Sequence, residues 1–263
     1  GPTTSVKNLL EGLDQIGVEK DDVDYVAVSH IHIDHGGGAG TLLQHLPNAR
    51  LLVHARGAPN LARPKKLWTQ TKQVLGEIAD MYGRIHPVPE KRILVARDGM
   101  TISLGEGITL KVLETLGHAS HHLSFYESKG EGIFTGDAAG VYLKSLDVVI
   151  PTSPPPFHLE IALRSIAHLK KMLPERLYYT HFGMRENGVQ RLEDYVNQLE
   201  LWAKVVQEGM KAGEDLEGIY KRILEEDPST RKAADLIRKH MVLRRGVVRQ
   251  SIQGLMGYFE ETG

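Results

Sequence analysis

The chain contains no cysteine. That removes a disulfide framework, a thiolate zinc site and a cysteine nucleophile together, so any bound metal must be held by histidine and carboxylate. It also points to a cytoplasmic setting. An excess of one charge is missing too: 32 Lys and Arg stand against 33 Asp and Glu. No field is then available to hold a polyanion or an acidic membrane, and neither nucleic acid nor membrane is expected as a partner. Long apolar runs are absent; residues 26–28 and 51–53 are far short of a membrane span, and the first residues lack the basic-then-apolar pattern of a secretory leader. The rest, 41% hydrophobic and 25% charged over 263 residues, has the composition of an ordinary globular chain with a large core, which excludes disorder, collagen and coiled coil. Histidine is the unusual residue, with 13 copies.

The first half alternates helical and strand patterns, and the last third is almost wholly helical. Thr4 or Ser5 is placed to cap a helix carrying Val6, Leu9, Leu10, Leu13 and Ile16, stopped by Gly17. Residues 23–28 read as a buried strand feeding a polar, glycine-rich loop and a short helix over 42–46, and 51–54 as a second strand. One helix is predicted over 64–82, with Trp68, Val74, Leu75, Ile78 and Met81 near one stripe. Short strands separated by glycine turns over 93–140 predict an antiparallel meander. Residues 147–157, with Pro151, Pro154, Pro155 and Pro156, form an irregular loop suited to closing over a pocket. A helix over 159–172 and a strand over 177–180 lead to His181. The natural division is a catalytic domain over 1–186 and a helical region over 187–263.

Chemistry concentrates in Ser29-His30-Ile31-His32-Ile33-Asp34-His35-Gly36-Gly37-Gly38. Four metal donors fall within six residues, and in an extended or looping segment His30 and His32 point one way while Asp34 and His35 reach the other. His118, Asp137 and His181 each end a strand pattern and complete the set. Seven N and O donors, one carboxylate shared, suit two ions of the zinc, iron or manganese kind about 3.5–4 Å apart. A single histidine is more often surface or satisfied core than ligand. Four donors at this spacing, followed by glycines and joined by His and Asp at strand ends, would be a costly accident in a packed core. Of the remaining histidines, His121 and His122 adjoin His118 and are placed to support it, and His158 beside the proline loop could face substrate. His45, His54, His86, His168 and His240 read as ordinary surface or helix residues.

These motifs, taken in order with Gly117-His118, Thr135-Gly136-Asp137 and Thr180-His181-Phe182-Gly183, resemble the metallo-β-lactamase-fold hydrolases over residues 1 to about 183. The resemblance implies an α/β, four-layer αβ/βα sandwich with metals at one edge of its two sheets, here with a helical C-terminal extension. It implies that His30, His32 and His118 bind a first metal, that Asp34, His35 and His181 bind a second, and that Asp137 bridges them. Without a cysteine, the branch of β-lactamases with a second-site cysteine is disfavoured, and His32, where flavodiiron relatives usually carry Glu, disfavours oxygen or nitric-oxide reduction. Nuclease branches usually add histidine motifs or a gripping arm that this chain lacks. Gly117-His118-Ala119-Ser120-His121-His122 is close to the glyoxalase II-like version, although Leu116 replaces its frequent Pro, and the whole is similar to a group of microbial hydrolases in that branch. Family members usually open with two or three strands before the first helix, whereas Gly1-Pro2 stands immediately before it here. The opening strands are therefore expected to be missing, with a separate N-terminal segment of about 40 residues as one candidate partner.

The function expected from this is a dinuclear hydrolase acting on a small-molecule thioester through a metal-bound hydroxide, with two divalent ions, zinc first and iron or manganese as alternatives. Asp34 is the candidate to orient the water or carry its proton, and Tyr142 the candidate to donate to an oxyanion; as a packing tyrosine Tyr142 would do neither. A lactonase, a phosphodiesterase of the same fold and a non-catalytic metal-binding sensor are the rival readings. The stripes Leu192, Tyr195, Leu199, Trp202, Val206, then Leu236, Ile237, Met241, then Ile252, Leu255, Met256, Phe259 must pack on something. They are expected either to roof the site with residues 151–158 or to form a homodimer interface.

Overall fold

A computed structural model describes residues 1–263 other than Phe182, Met241 and Val242, and the backbone but not the side chain of Arg245. Phe182 of the 180–183 motif and Met241 of the C-terminal stripe thus lie outside the described residues. The chain divides into two compact units, Gly1–Asp98 and Gly99–Gly263.

In the first unit, α1 (Val6–Gln15) buries Val6 and ends where Gly17 takes φ +71°, as its sequence predicts. The cap differs: Ser5 makes no side-chain cap bond, and Thr4 Oγ1 instead donates to the carbonyls of Met81 and Tyr82 at 3.2 and 3.3 Å. There follow β1 (Tyr25–Ala27), α2 (Ile33–Gly36), α3 (Ala39–His45), β2 (Arg50–His54), α4 (Ala58–Ala62), α5 (Lys65–Leu75), α6 (Ile78–Tyr82) and β3 (Ile93–Ala96). The three strands form one parallel sheet in the order β1-β2-β3. β2 is central, so Leu51, Leu52 and Val53 are all fully buried, which is why it reads as an unbroken apolar run. β1 has β2 as its one paired neighbour among the described residues and is half-buried to exposed, not the buried strand expected over 23–28. The single helix expected over 64–82 is two, because Gly76 takes φ +57° between α5 and α6. Residues 93–96 were expected in the meander and instead pair in parallel with β2.

The second unit runs β4 (Thr101–Gly105), β5 (Ile108–Glu114), β6 (Leu123–Glu127), β7 (Gly132–Gly136), β8 (Val141–Leu143), β9 (Val148–Ile150), α7 (Leu159–Lys170), β10 (Arg176–Tyr179), β11 (Gly183–Glu186), α8 (Gly188–Lys211), α9 (Leu216–Glu226), α10 (Pro228–Lys239) and α11 (Val247–Thr262). Its main sheet has the order β11-β10-β7-β6-β5-β4, with β8 and β9 as a separate hairpin whose second strand, β9, falls inside the stretch 147–157 expected to be irregular. β4 to β7 form the antiparallel meander, and β10 returns parallel to β7 after α7. Because β6 opposes both β5 and β7, strands β5, β7 and β10 run in one direction. The loops that follow these three strands therefore open at one edge of the sheet.

The C-terminal helices share the core of this unit. Leu192, Leu199, Trp202 and Val206 of α8 are fully buried with Ile133, Leu177 and Ile166, and with Ile219, Ile223, Ile252 and Leu255 from α9 and α11. The α8 stripe is thus covered by its own chain. At the start of α10, the buried Asp227 carboxylate accepts from Gln198 Nε2, Trp202 Nε1, Thr230 Oγ1 and the Ser229 N–H at 2.6 to 2.9 Å, fastening α8 to α10.

Candidate metal centre

The loop leaving β1 carries the first four donors. His30 and His35 are buried, while His32 and Asp34 are half-buried. Residues 30–32 are not helical, and the single turn of α2 places Asp34 and His35 on a helical step within the segment expected to be extended or looping. Gly36 makes that possible, since a Cβ there would lie 2.9 Å from the His30 carbonyl oxygen and 3.1 Å from Ile31 Cα, both backbone. The folded loop brings His30 Nε2 within 2.9 Å of His32 Nδ1, stacks the His30 and His35 rings 4.0 Å apart, and sets His35 Nε2 3.4 Å from Asp34 Oδ2. Burial, with the nearby Asp34 charge second, pushes the Tyr82 hydroxyl up to about 12.

The other three donors follow β5, β7 and β10 at the sheet edge described above. Asp137 is buried, and its two carboxylate oxygens face different histidines: Oδ2 lies 3.4 Å from His118 Nε2 and Oδ1 3.4 Å from His181 Nε2. His118 Nδ1 is 2.9 Å from the Thr152 carbonyl oxygen. A carbonyl can only accept, so Nδ1 carries the proton and donates, and Nε2 presents its lone pair as a ligand on the side of Asp137. Asp137 is held in turn by the fully buried His122, whose Nε2 accepts from the Asp137 N–H at 2.9 Å. The His122 Nδ1–H therefore donates to Thr115 Oγ1 at 2.8 Å, and Ser124 continues the chain to the Thr135 carbonyl. Gly117 has φ +132° and a Cβ there would lie 2.7 Å from Ala162 Cβ, so α7 is close enough to fix the turn before His118.

The donor chemistry can be tested against a metal within each unit. A tetrahedron of ligands bound at 2.0–2.1 Å has edges of about 3.3–3.4 Å. The pairs His35–Asp34, His118–Asp137 and His181–Asp137 all stand at 3.4 Å, long for a charged hydrogen bond and right for two ligands of one ion. Among the described residues, His30, His32, Asp34 and His35 of the first unit and His118, Asp137 and His181 of the second are the His and carboxylate donors suited to hold a metal. The set fits a divalent metal bound through nitrogen and oxygen.

Other expected residues fall differently. The Tyr142 hydroxyl donates to Asp147 Oδ1 at 2.9 Å, Asp147 pairs with Arg185 at 3.2 Å, and the ring packs on Tyr179. That proton is committed to Asp147 in this structure, where the sequence reading turned it toward an oxyanion. Burial first and the bond to Asp147 second raise its pKa. His54 is buried at the end of β2 and accepts from the Arg56 N–H at 3.0 Å, where a surface residue was expected. His158 is exposed ahead of α7. Sequence reasoning missed Thr115 and Ser124, and it missed the Thr152 carbonyl, which no side-chain pattern could reveal.

The family whose model matches residues 1–181 is the metallo-β-lactamase superfamily. Over 208 residues the chain is 28% identical to the metallo-β-lactamase fold-containing protein ST1585 of Sulfurisphaera tokodaii, covering 78% of this chain and 75% of that one. The crystal structure of ST1585 from Sulfolobus tokodaii superposes with a TM-score of 0.60 at 30% identity, over 66% of this chain and 67% of that one. The metallo-β-lactamase family protein TTHA1429 of Thermus thermophilus superposes at 0.65 over 97% of this chain and 80% of its own, at 22% identity, a likeness of fold. A shorter match, 29% over 115 residues, is to the atrochrysone carboxyl ACP thioesterase of Aspergillus fumigatus, covering 44% of this chain and 27% of that one. The family match spans every one of the seven donors, and on that extent and the ST1585 likeness the chain belongs to the metallo-β-lactamase superfamily.

Proposed function

We propose that the protein is a dinuclear metal-dependent hydrolase that cleaves an acyl thioester. The observation that carries the reading is Asp137, one buried carboxylate with each oxygen 3.4 Å from a different imidazole nitrogen. Such a carboxylate is suited to bridge two cations. In this reading His30, His32 and His118 hold one ion, Asp34, His35 and His181 the other, and Asp137 both, with zinc favoured over iron or manganese. When bound, the ions lower the pKa of a water toward neutrality and polarise the substrate carbonyl.

The chain's own residues do the rest. His122 holds the backbone of Asp137, so the carboxylate cannot swing away as charge builds on the substrate. His118 is kept in the tautomer that presents Nε2. Asp34, whose Oδ2 lies 3.4 Å from His35 Nε2, is the residue assigned to orient the attacking water or take up its proton. The loop over 151–157, which touches His118 through Thr152 and carries α11 packed against Ser153 and Phe157, roofs the substrate and excludes bulk water. Water adds to the acyl carbon, the carbon–sulfur bond breaks, and acid and thiol leave.

Support for a thioester comes from the glyoxalase II-like stretch around His118 and from the thioesterase relative. The test is a metal-loaded protein offered S-acetyl-N-acetylcysteamine, a five-membered lactone and bis-p-nitrophenyl phosphate. Metal-dependent thiol release faster than either other hydrolysis is expected. Cleavage of the phosphodiester alone would overturn the substrate class, and no hydrolysis by protein holding two metals would overturn the enzyme.

A further inference from the structure

We propose that the C-terminal helix α11 acts as a positioning frame for the metal ligand His118, through the backbone of residues 151–153, with Ser251 as the positioning residue. The inference rests on the metal reading above. His118 takes its orientation from the Thr152 carbonyl, and that carbonyl is only as well placed as the strand of loop that bears it.

The loop is fixed from α11. Ser251 Oγ accepts from the Ser153 N–H at 3.0 Å and shares its one proton between the Val247 carbonyl of its own helix at 2.7 Å and the Pro151 carbonyl at 3.0 Å, while Ser153 Oγ donates to the Ser251 carbonyl at 3.3 Å. All of this is buried, Ser153 at 0% and Ser251 at 1% exposure. One turn on, a Cβ at Gly254 would stand 1.8 Å from the Ser153 carbonyl oxygen, so the helix axis is pressed against the loop backbone with no room to shift. The Thr152 C=O thus grips His118 while its successor Ser153 is latched to α11. A loop with four prolines over seven residues has few backbone hydrogen bonds of its own, so these contacts decide where the carbonyl points.

The experiment measures metal affinity by chelator competition on the full chain, together with the visible spectrum of the cobalt-substituted protein. Ser251→Ala and Ser153→Ala are each expected to weaken one of two bound ions, the first about tenfold, and to shift its cobalt bands, as loss of support around a ligand does. Ile252→Val, fully buried on the same helix, is expected to lower the Tm while leaving affinity and spectrum as in the unsubstituted protein. Wild-type affinity and spectrum in both variants, in a protein that binds two metals, would overturn this inference alone. An unsubstituted protein that binds no metal would overturn the metal reading with it. Should Ser251→Ala fail to fold, Ser153→Ala, which removes only a hydroxyl, decides the matter by the same criteria.

Discussion

Replacing His122 by Leu removes both nitrogens of a fully buried imidazole while nearly conserving its volume, so the cost is one of lost polar partners and not of a cavity. The Asp137 N–H loses its acceptor at 2.9 Å inside a buried site, worth about 1–3 kcal/mol as an unsatisfied donor. Thr115 loses a 2.8 Å partner but keeps Ser124, about 1 kcal/mol. The sum is a destabilisation of about 2–4 kcal/mol, and by loosening Asp137 the change should weaken metal binding about 10- to 100-fold. Urea unfolding of the metal-free protein measures the first quantity and chelator competition the second. Thr115→Val takes away the acceptor of the buried His122 Nδ1–H but leaves the bond between His122 and Asp137, so it should cost about 1–3 kcal/mol and leave metal affinity nearly intact. A His122→Leu protein within about 0.5 kcal/mol of the original, binding metal equally well, would refute the claim that this histidine holds Asp137.

Gly36→Ala should lower stability by about 1–3 kcal/mol and reduce metal content, since its Cβ would meet the backbone of His30 and Ile31; metal analysis after thermal melting checks both. Asp227→Ala should cost about 3–4 kcal/mol, combining a lost helix cap with an unpaired, fully buried Trp202 N–H, and should leave metal affinity unchanged. The Tyr82 pKa is raised on folding, to about 12, so the folded state keeps a proton that the unfolded chain releases. Its contribution is fully present below the ordinary tyrosine value near 10 and is lost as pH rises toward 12. Urea midpoints for Tyr82→Phe should accordingly fall less steeply between pH 10 and 12, and an identical slope would count against a buried hydroxyl.

The donors were legible because their spacing is local or sits at strand ends. His30 to His35 stand within six residues, and His118, Asp137 and His181 follow strands that run in one direction, which puts three distant residues at one edge. What the sequence hid depends on partners far along the chain. Ser251 lies 98 residues from Ser153, and nothing local marks either. β1 reads as a buried strand from its valines, yet burial depends on how many neighbours a strand has, which alternation does not encode. Residues 93–96 carry the same β pattern as the meander, and which sheet they join is decided by pairing with β2. Gly76 ended a helix whose apolar stripe continued past it, a backbone effect overriding a side-chain period. Tyr142 was read as facing a reaction because it follows Asp137 closely, whereas Asp147, five residues on, claims its proton.

The central claim, that Asp137 joins two metals, is tested most directly by counting metal equivalents per chain in the unsubstituted protein and in Asp137→Ala, alongside thiol release from S-acetyl-N-acetylcysteamine. The account predicts two equivalents in the first, at most one in the second, and a fall in turnover of about 100-fold or more. An Asp137→Ala protein that keeps two metals and releases thiol at the original rate would contradict it.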